Sequence, residues 1–201
     1  MKATSDGCSN HVRGFEEGRQ RQLRGKKLTF ISTPLCVEQL KKAGFVELEF
    51  ARQKLGYERR RILMVTDAIA SMLSAPSPPF PRTTAAMSFD TFKAGYLVSV
   101  GRSEDGAPDF KLLEDLDEVW TFAVRKPKDF QARLLGRFVH KDVFVGTRFY
   151  LRSDLGAKSN YHRMASEVAE HWDGETGGIR PLRSDSNSDY LGHVMRDLDN
   201  G

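Results

Sequence analysis

The chain has 201 residues, of which 39% are hydrophobic, 29% charged and 10% aromatic, a composition typical of one folded domain with appendages. Its two cysteines exclude a disulfide scaffold and, in the absence of a CxxC pair, a zinc ribbon. No apolar run reaches the roughly 20 residues that cross a bilayer, and residues 1–18 lack the core of a signal peptide. We therefore expect a cytoplasmic protein without a membrane partner.

The net charge of +4 hides a segregation along the chain. Residues 1–61 carry fourteen Lys or Arg against seven Asp or Glu, and residues 125–152 carry eight against two. Residues 104–118, by contrast, carry seven acids and one lysine. Basic segments of this size indicate either a polyanionic partner or an ordinary solvated surface, and charge alone does not decide between them.

The N-terminal region is predicted to contain an arm and a few short elements. Residues 1–25 are rich in Gly, Arg, Gln and Ser and have few large apolar side chains, which predicts a flexible basic arm. Residues 26–75 follow as a region with a brief helix around Val37 and Leu40 and a short strand on either side of it.

The longest element predicted in this region is a helix over residues 58–74. Its apolar residues recur at spacings of three, four and three: Ile62, Val65, Ile69 and Met72. Four prolines between positions 76 and 81 remove backbone donors and end the helix. We therefore predict a proline-rich linker over residues 76–94.

Residues 95–178 are predicted to fold as an antiparallel sheet followed by a helix. Four alternating runs are joined by short polar connections: 95–100, 119–125, 133–139 and 143–152. Parallel neighbours would need crossovers of about a dozen residues, so these connections favour antiparallel pairing. A helix over 160–172 and an extended tail over 179–201 complete the chain. The predicted fold is α+β, a curved antiparallel sheet of about four strands with two helices packed on one face.

The face of this sheet opposite the helices is predicted to be basic. Strand alternation assigns six side chains to it: Arg125, Arg133, Arg137, Arg148, Tyr150 and Arg152. The apolar face of the last run receives Val143, Val145, Thr147, Phe149 and Leu151. Only Asp129 and Asp142 are acidic within 125–152, so few carboxylates are available nearby to neutralise these arginines. Two interpretations of the face are therefore possible, a solvated polar surface and an anion-binding surface.

Arginine and tyrosine on one face also suit metal-free RNA cleavage, in which the ribose 2′-OH attacks its own phosphodiester. Arg148 is the candidate for stabilising the developing charge, and Tyr150, His140 or His162 are candidates for moving protons. The remaining arginines would hold RNA phosphates: Arg125, Arg133, Arg137 and Arg152. We expect no metal and no cofactor, because no motif for either is complete.

The order of elements in residues 95–172 resembles that of the RelE/ParE-like toxins, and the nearest likeness is to their HigB-like and phage-derived branch. An acidic lead-in, Leu113-Glu114-Asp115-Leu116-Asp117-Glu118-Val119-Trp120, precedes a strand ending at Arg125, and the next strand opens with Arg133. The resemblance implies a toxin that cleaves mRNA, usually on the ribosome, and is neutralised by an antitoxin protein. The alternative is a non-catalytic module that binds nucleic acid or an acidic partner through the same basic face.

Overall fold

The computed structural model describes residues 35–49, 59–76, 82–96, 98–101, 108–113, 115–125, 131–156, 158–192 and 194–197. The chain divides into two units, Met1–Leu35 and Cys36–Gly201, and apart from Leu35 the described residues belong to the second. The basic arm expected over residues 1–25 and the strand expected before Val37 lie outside the described residues. No helix of the described part is both long and apolar enough to cross a membrane.

Six helices and eight strands occur in the described part of the chain. The helices are α1 (35–42), α2 (Asp67–Ser74), α3 (Arg82–Lys93), α4 (Arg152–Leu155), α5 (Lys158–Thr176) and α6 (Asn187–Tyr190). The strands are β1 (Phe45–Glu47), β2 (Ile62–Thr66), β3 (Val98–Gly101), β4 (Phe110–Leu112), β5 (Trp120–Val124), β6 (Ala132–His140), β7 (Val143–Leu151) and β8 (Val194–Asp197).

The eight described strands form one mixed sheet in the order β1-β2-β7-β6-β5-β4-β3-β8. The pairs β1–β2, β4–β5, β5–β6 and β6–β7 are antiparallel. Strand β2 runs parallel to β7, and β3 runs parallel to both β4 and β8. One apolar cluster joins a face of the sheet to α2, α3 and α6, and a second joins the other face to α1 and α5.

The expected curved antiparallel sheet of about four strands, with two helices on one face, is therefore wrong, although the fold is α+β overall. The short connections revealed the antiparallel run β5–β6–β7, and that part is confirmed. The parallel pairs β2–β7 and β3–β8 join distant parts of the chain, so no local sequence pattern predicts them. Strand β3 is also parallel to β4, although the connection between them is shorter than the dozen or so residues expected of a parallel crossover.

The helix predicted over residues 58–74 is also wrong, because its first half is a strand. Four consecutive apolar residues, Ile62 to Val65, form most of β2, and such a run is typical of a strand covered on both faces. Thr66 then caps α2, since its hydroxyl accepts a hydrogen bond from the Ile69 backbone N–H at 3.4 Å. The helical spacing was a coincidence, because every position of such a strand is apolar.

The segment expected to be a linker contains α3, while its residues 77–81 lie outside the described part. Phe89 and Phe92 of this helix are buried against the aromatic residues of the sheet. The ring centroids of Phe92 and Phe110 are 5.2 Å apart, and those of Phe110 and Phe122 are 4.4 Å apart. Burial of these aromatic rings, worth several kcal/mol in total, holds α3 to the sheet.

The final helix is confirmed as α5, which begins near the predicted start and runs on to Thr176. It continues through Gly174, beyond the predicted end at residue 172. Gly177 and Gly178 follow with φ values of 69° and 81°, a conformation that ends helices and that glycine adopts without strain. The expected C-terminal tail contains α6 and β8.

Candidate anion-binding site

A β-bulge in β7 decides which way its arginine and tyrosine point. Gly136 of β6 pairs with Gly146, while its neighbour Leu135 pairs with Arg148, which leaves Thr147 as an extra residue. Glycine permits this close approach, because a Cβ at Gly136 would collide with the opposite backbone.

The bulge splits the apolar set that simple alternation predicted for this strand. Val143 and Val145 pack into the cluster under α5, whereas Phe149 and Leu151 pack against the opposite cluster. The prediction of one common face for these four residues is therefore wrong, since alternation assumes that no residue is inserted. Tyr150 lies on the α5 face together with the two valines.

Helix α5 covers much of the face that was expected to be exposed and basic. Ala165, Val168 and Trp172 of this helix are buried against that face. The predicted arginines consequently fall into two groups, those held by acids beneath or beside α5 and those at one end of the sheet.

Arg137 belongs to the first group. It is 3% exposed, its Nη2 donates to an Asp117 carboxylate oxygen at 3.2 Å, and its guanidinium lies 5.2 Å from the centre of the Trp172 ring. Burial lowers its pKa, an effect that Asp117 opposes. These contacts give Arg137 a structural role between β6, α5 and the acidic lead-in to β5.

Arg148 is held in a similar way. Its Nη2 donates to Glu175 Oε1 of α5 at 2.7 Å. Burial lowers the pKa of Arg148, but the hydrogen bond and the charge of Glu175 outweigh burial, so this pKa lies above its ordinary value. The predicted phosphate-stabilising arginine is thus already paired with a carboxylate.

Tyr150 and His140 lie at opposite ends of the β6–β7 pair. Tyr150 pairs with Arg133 near the start of β6, and His140 pairs with Val143 at its end. The seven steps along the strand from Arg133 to His140 span about 23 Å. The structure therefore places Arg148 and Tyr150 on one strand face and His140 far from both.

The environments of these two proton-transfer candidates also differ. Burial raises the pKa of Tyr150, and the neighbouring Glu167 carboxylate raises it further. His140 Nδ1 lies 3.1 Å from the Lys141 carbonyl oxygen in the β6–β7 turn. His162 is exposed on α5.

Three of the predicted arginines meet at one end of the sheet: Arg125, Arg133 and Arg152. Each directly follows a residue of one cross-strand row, in which Ala132 pairs with Val124 on one side and with Leu151 on the other. The backbone N–H of Arg152 continues the pairing by donating to the Gln131 carbonyl at 2.6 Å. Register alone thus brings together the end of β5, the start of β6 and the end of β7.

No carboxylate among the described residues forms an ion pair with Arg133 or Arg152. Arg133 donates to the Ala132 carbonyl at 2.9 Å. Burial lowers its pKa, and the positive charges of Arg125 and Arg152 lower it further, against an opposite effect of Tyr161. Arg125 lies 3.8 Å from Asp109 and also donates to the Pro108 carbonyl.

Tyr161, in the first turns of α5, completes this group, and we call these four residues the basic cluster: Arg125, Arg133, Arg152 and Tyr161. Burial raises the pKa of the Tyr161 phenol, while Thr121, Arg133 and Arg152 lower it, and burial prevails. The phenol is therefore neutral near pH 7 and provides a hydroxyl beside the guanidiniums. No local sequence pattern indicates this role, because Tyr161 is one of the residues in the apolar stripe of the helix.

A cleft of about 640 Å³ is lined in part by Tyr150, the cross-strand partner of Arg133 in the basic cluster. The last pair between β2 and β7 is Val65 with Gly146, and β2 ends at the next residue, Thr66. Strand β7 continues to Leu151. The cleft lies at this step in the sheet and is lined by residues that include Thr66, Ile69, Met72, Arg148, Tyr150 and Glu175. Arg148 and Tyr150, two of the predicted catalytic residues, therefore share one cleft.

Within the described residues, no three His, Cys, Asp or Glu side chains are grouped as metal ligands. Comparison of the chain with protein-family models, with curated proteins and with solved structures gives no match.

Proposed function

We propose that this protein is a non-catalytic nucleic-acid-binding module whose basic cluster holds the phosphate backbone. The observation that supports this is the meeting of three guanidiniums at one end of the sheet, two of them without an acidic partner among the described residues. A guanidinium presents a fork of N–H donors that matches phosphate oxygens and keeps its charge at any physiological pH. A bound phosphate would also relieve the repulsion among the three cations.

Two further features favour an anion at this place. Lys126 and Lys128 follow Arg125 directly in the sequence. Helix α5 begins at Lys158, three residues before Tyr161, so the positive end of its dipole lies at the same end of the sheet. Both features add to a positive potential that attracts polyanions.

The direct test compares two arginines that carry the same charge in different places. We expect Arg133→Gln to weaken binding of a labelled single-stranded RNA about tenfold, because one charge-assisted contact is lost. Arg82→Gln, at the exposed start of α3 in the opposite helix layer, should leave the affinity unchanged. Fluorescence anisotropy over a salt series measures both, and three phosphate contacts predict a log–log slope of about −2.

Two outcomes would contradict this proposal. Equal losses in Arg133→Gln and Arg82→Gln would show that only net charge matters. Binding of polyglutamate with no binding of RNA would instead favour the acidic protein partner that the sequence analysis kept as a possibility.

The mRNA-cleaving toxin is a second candidate, and the specific observation in its favour is that Arg148 and Tyr150 line one cleft beside the basic cluster. Inducible expression in bacteria should then arrest growth and fragment mRNA. Arg148→Ala should relieve the arrest while the protein stays folded. Growth without arrest and intact mRNA would reject the enzyme and leave the binding module.

A further inference from the structure

The cleft has the size and the lining of a binding site for a small flat group. Its volume of about 640 Å³ falls in the range of roughly 300–1,000 Å³ that small-molecule sites occupy. Ile69 and Met72 give it apolar walls, and Thr66 with the Arg148–Glu175 pair gives it a polar side. This combination fits a molecule with apolar faces and polar edges.

Tyr150 connects the cleft with the basic cluster. It lines the cleft and is the cross-strand partner of Arg133, so the two side chains start about 5 Å apart on the same face. Arg152 follows two residues later, just past the end of β7 at the start of α4, about 7 Å from Tyr150 along the chain. A phosphate bound between Arg133 and Arg152 would therefore lie next to Tyr150, one of the residues that line the cleft.

The polar side of the cleft offers donors and acceptors next to each other. Arg148 and Glu175 are 2.7 Å apart, and each keeps about a quarter of its side chain exposed, 23% and 28%. The edges of nucleobases carry hydrogen-bond donors and acceptors in the same close alternation. The Tyr150 ring supplies an aromatic face of the kind on which unpaired bases stack.

We propose that the cleft receives the base of the nucleotide whose phosphate the basic cluster holds, so that the protein binds single strands in preference to duplexes. This inference rests on the proposed function, because the cluster supplies the phosphate contact. In a duplex each base is stacked and paired, and it must leave the helix before it can enter a cleft. A single strand enters without that cost.

The experiment compares a mixed-sequence single strand about eight nucleotides long, its duplex, and an abasic sugar–phosphate chain of the same length. The wild-type protein should bind the single strand about tenfold more tightly than either of the other two. Ala68→Trp places a large side chain at an exposed position that lines the cleft, and it should remove this preference. Affinity for the abasic chain should not change, since the basic cluster is intact.

Ala86→Trp, at an exposed position of α3, is the matched control and should keep the preference. Ala43→Trp, at another exposed position of the cleft lining, serves as a second test if Ala68→Trp unfolds the protein. Equal affinity of the wild-type protein for single strand and abasic chain would overturn this inference and leave the proposed function standing. Failure to bind any of the three polyanions would overturn both.

Discussion

Arg61 and Arg133 show two uses of the same side chain in one fold. Arg61 is 1% exposed, and its Nε donates to Asp142 at 3.1 Å while other donors reach the carbonyls of Tyr96, at 2.9 Å, and Gly192. Arg133 is half-buried, donates to the carbonyl of the residue before it, and has cations for neighbours. The difference shows that the buried charge of Arg61 is stabilised by hydrogen bonds to several acceptors within the protein. Arg133, which has fewer such partners, is the arginine that we expect to bind a ligand.

The Arg61 contacts also explain why that charge is structural. Asp142, which stands in the β6–β7 turn with φ of 63°, accepts a second hydrogen bond from the Gly192 N–H at 2.9 Å. The guanidinium lies 5.4 Å from the centre of the Phe92 ring. We call this group the Arg61 network: Arg61, Phe92, Tyr96, Asp142 and Gly192. It joins β2, the end of α3, the β6–β7 turn and the segment that leads into β8.

The largest effect is expected from Arg61→Met. Removal of the guanidinium leaves Asp142 with the Gly192 N–H as a donor and takes a donor away from the carbonyls of Tyr96 and Gly192. Because the Arg61 side chain is fully buried among these groups, the loss should cost about 3 kcal/mol of the free energy of unfolding. Arg59→Met removes an arginine that is 42% exposed and paired with Glu47, and it should cost less than about 1 kcal/mol. Urea denaturation measures both, and similar losses would remove the contrast between buried and exposed arginine.

A smaller loss is expected from Arg137→Met. The substitution keeps much of the apolar contact with Trp172 but leaves Asp117 with one partner, Arg183 at 2.5 Å. We expect a decrease of about 2 kcal/mol in the free energy of unfolding, because the Arg137 guanidinium is buried, although the Asp117 side chain is 46% exposed. RNA affinity should not change. A loss of affinity without a loss of stability would place Arg137 among the ligand-binding residues.

The basic cluster should also make stability depend on alkaline pH. The folded-state pKa of Tyr161 lies above its ordinary value of 10.0, so the contribution of the neutral phenol is fully present below about pH 10 and is lost as the pH rises through the folded-state pKa. The free energy of unfolding should therefore fall above about pH 10, and it should fall less steeply in Tyr161→Phe. Identical pH profiles for the two proteins would show that burial does not perturb this phenol.

The smallest effect on stability is expected from Arg133→Gln. Because Arg133 has cations as neighbours, removal of its charge relieves repulsion, and the free energy of unfolding should stay within about 0.5 kcal/mol of the wild-type value. The same variant is expected to lose nucleic-acid affinity. A decrease in the free energy of unfolding as large as that of Arg137→Met would show that Arg133 is a structural residue and would contradict the contrast with Arg61.

The local sequence pattern predicts best those helices and strands whose packing or pairing partners are also near in the sequence. Strands β5, β6 and β7 alternate and follow one another through short connections, and α5 has a clear apolar stripe. Strand β2 defeats the same reasoning, because a strand covered on both faces has no alternation to read. Its partner β7 lies about 80 residues further along the chain, and the sequence carries no local mark of that pairing.

For the candidate site, alternation correctly placed Arg133 and Arg137 on the face opposite Leu134 and Phe138. It did not foresee that α5 would cover this face or that Glu175 would pair with Arg148. Such partners are set by tertiary packing between distant elements. The position of Arg133 beside Arg152 follows from strand register, which can be predicted for a hairpin. The positions of the carboxylates that neutralise the other arginines cannot be predicted from register.

The Arg61 network has a consequence for folding of the nascent chain during its synthesis on the ribosome. Arg61 bonds to partners 35, 81 and 131 residues further along the chain, so its charge has no complete set of acceptors until Gly192 has been synthesised and has left the exit tunnel. Until then the guanidinium stays hydrated, and the contacts that it forms last are long-range ones of the kind that slow folding. Completion of the Arg61 network is thus expected to wait for the segment that leads into β8.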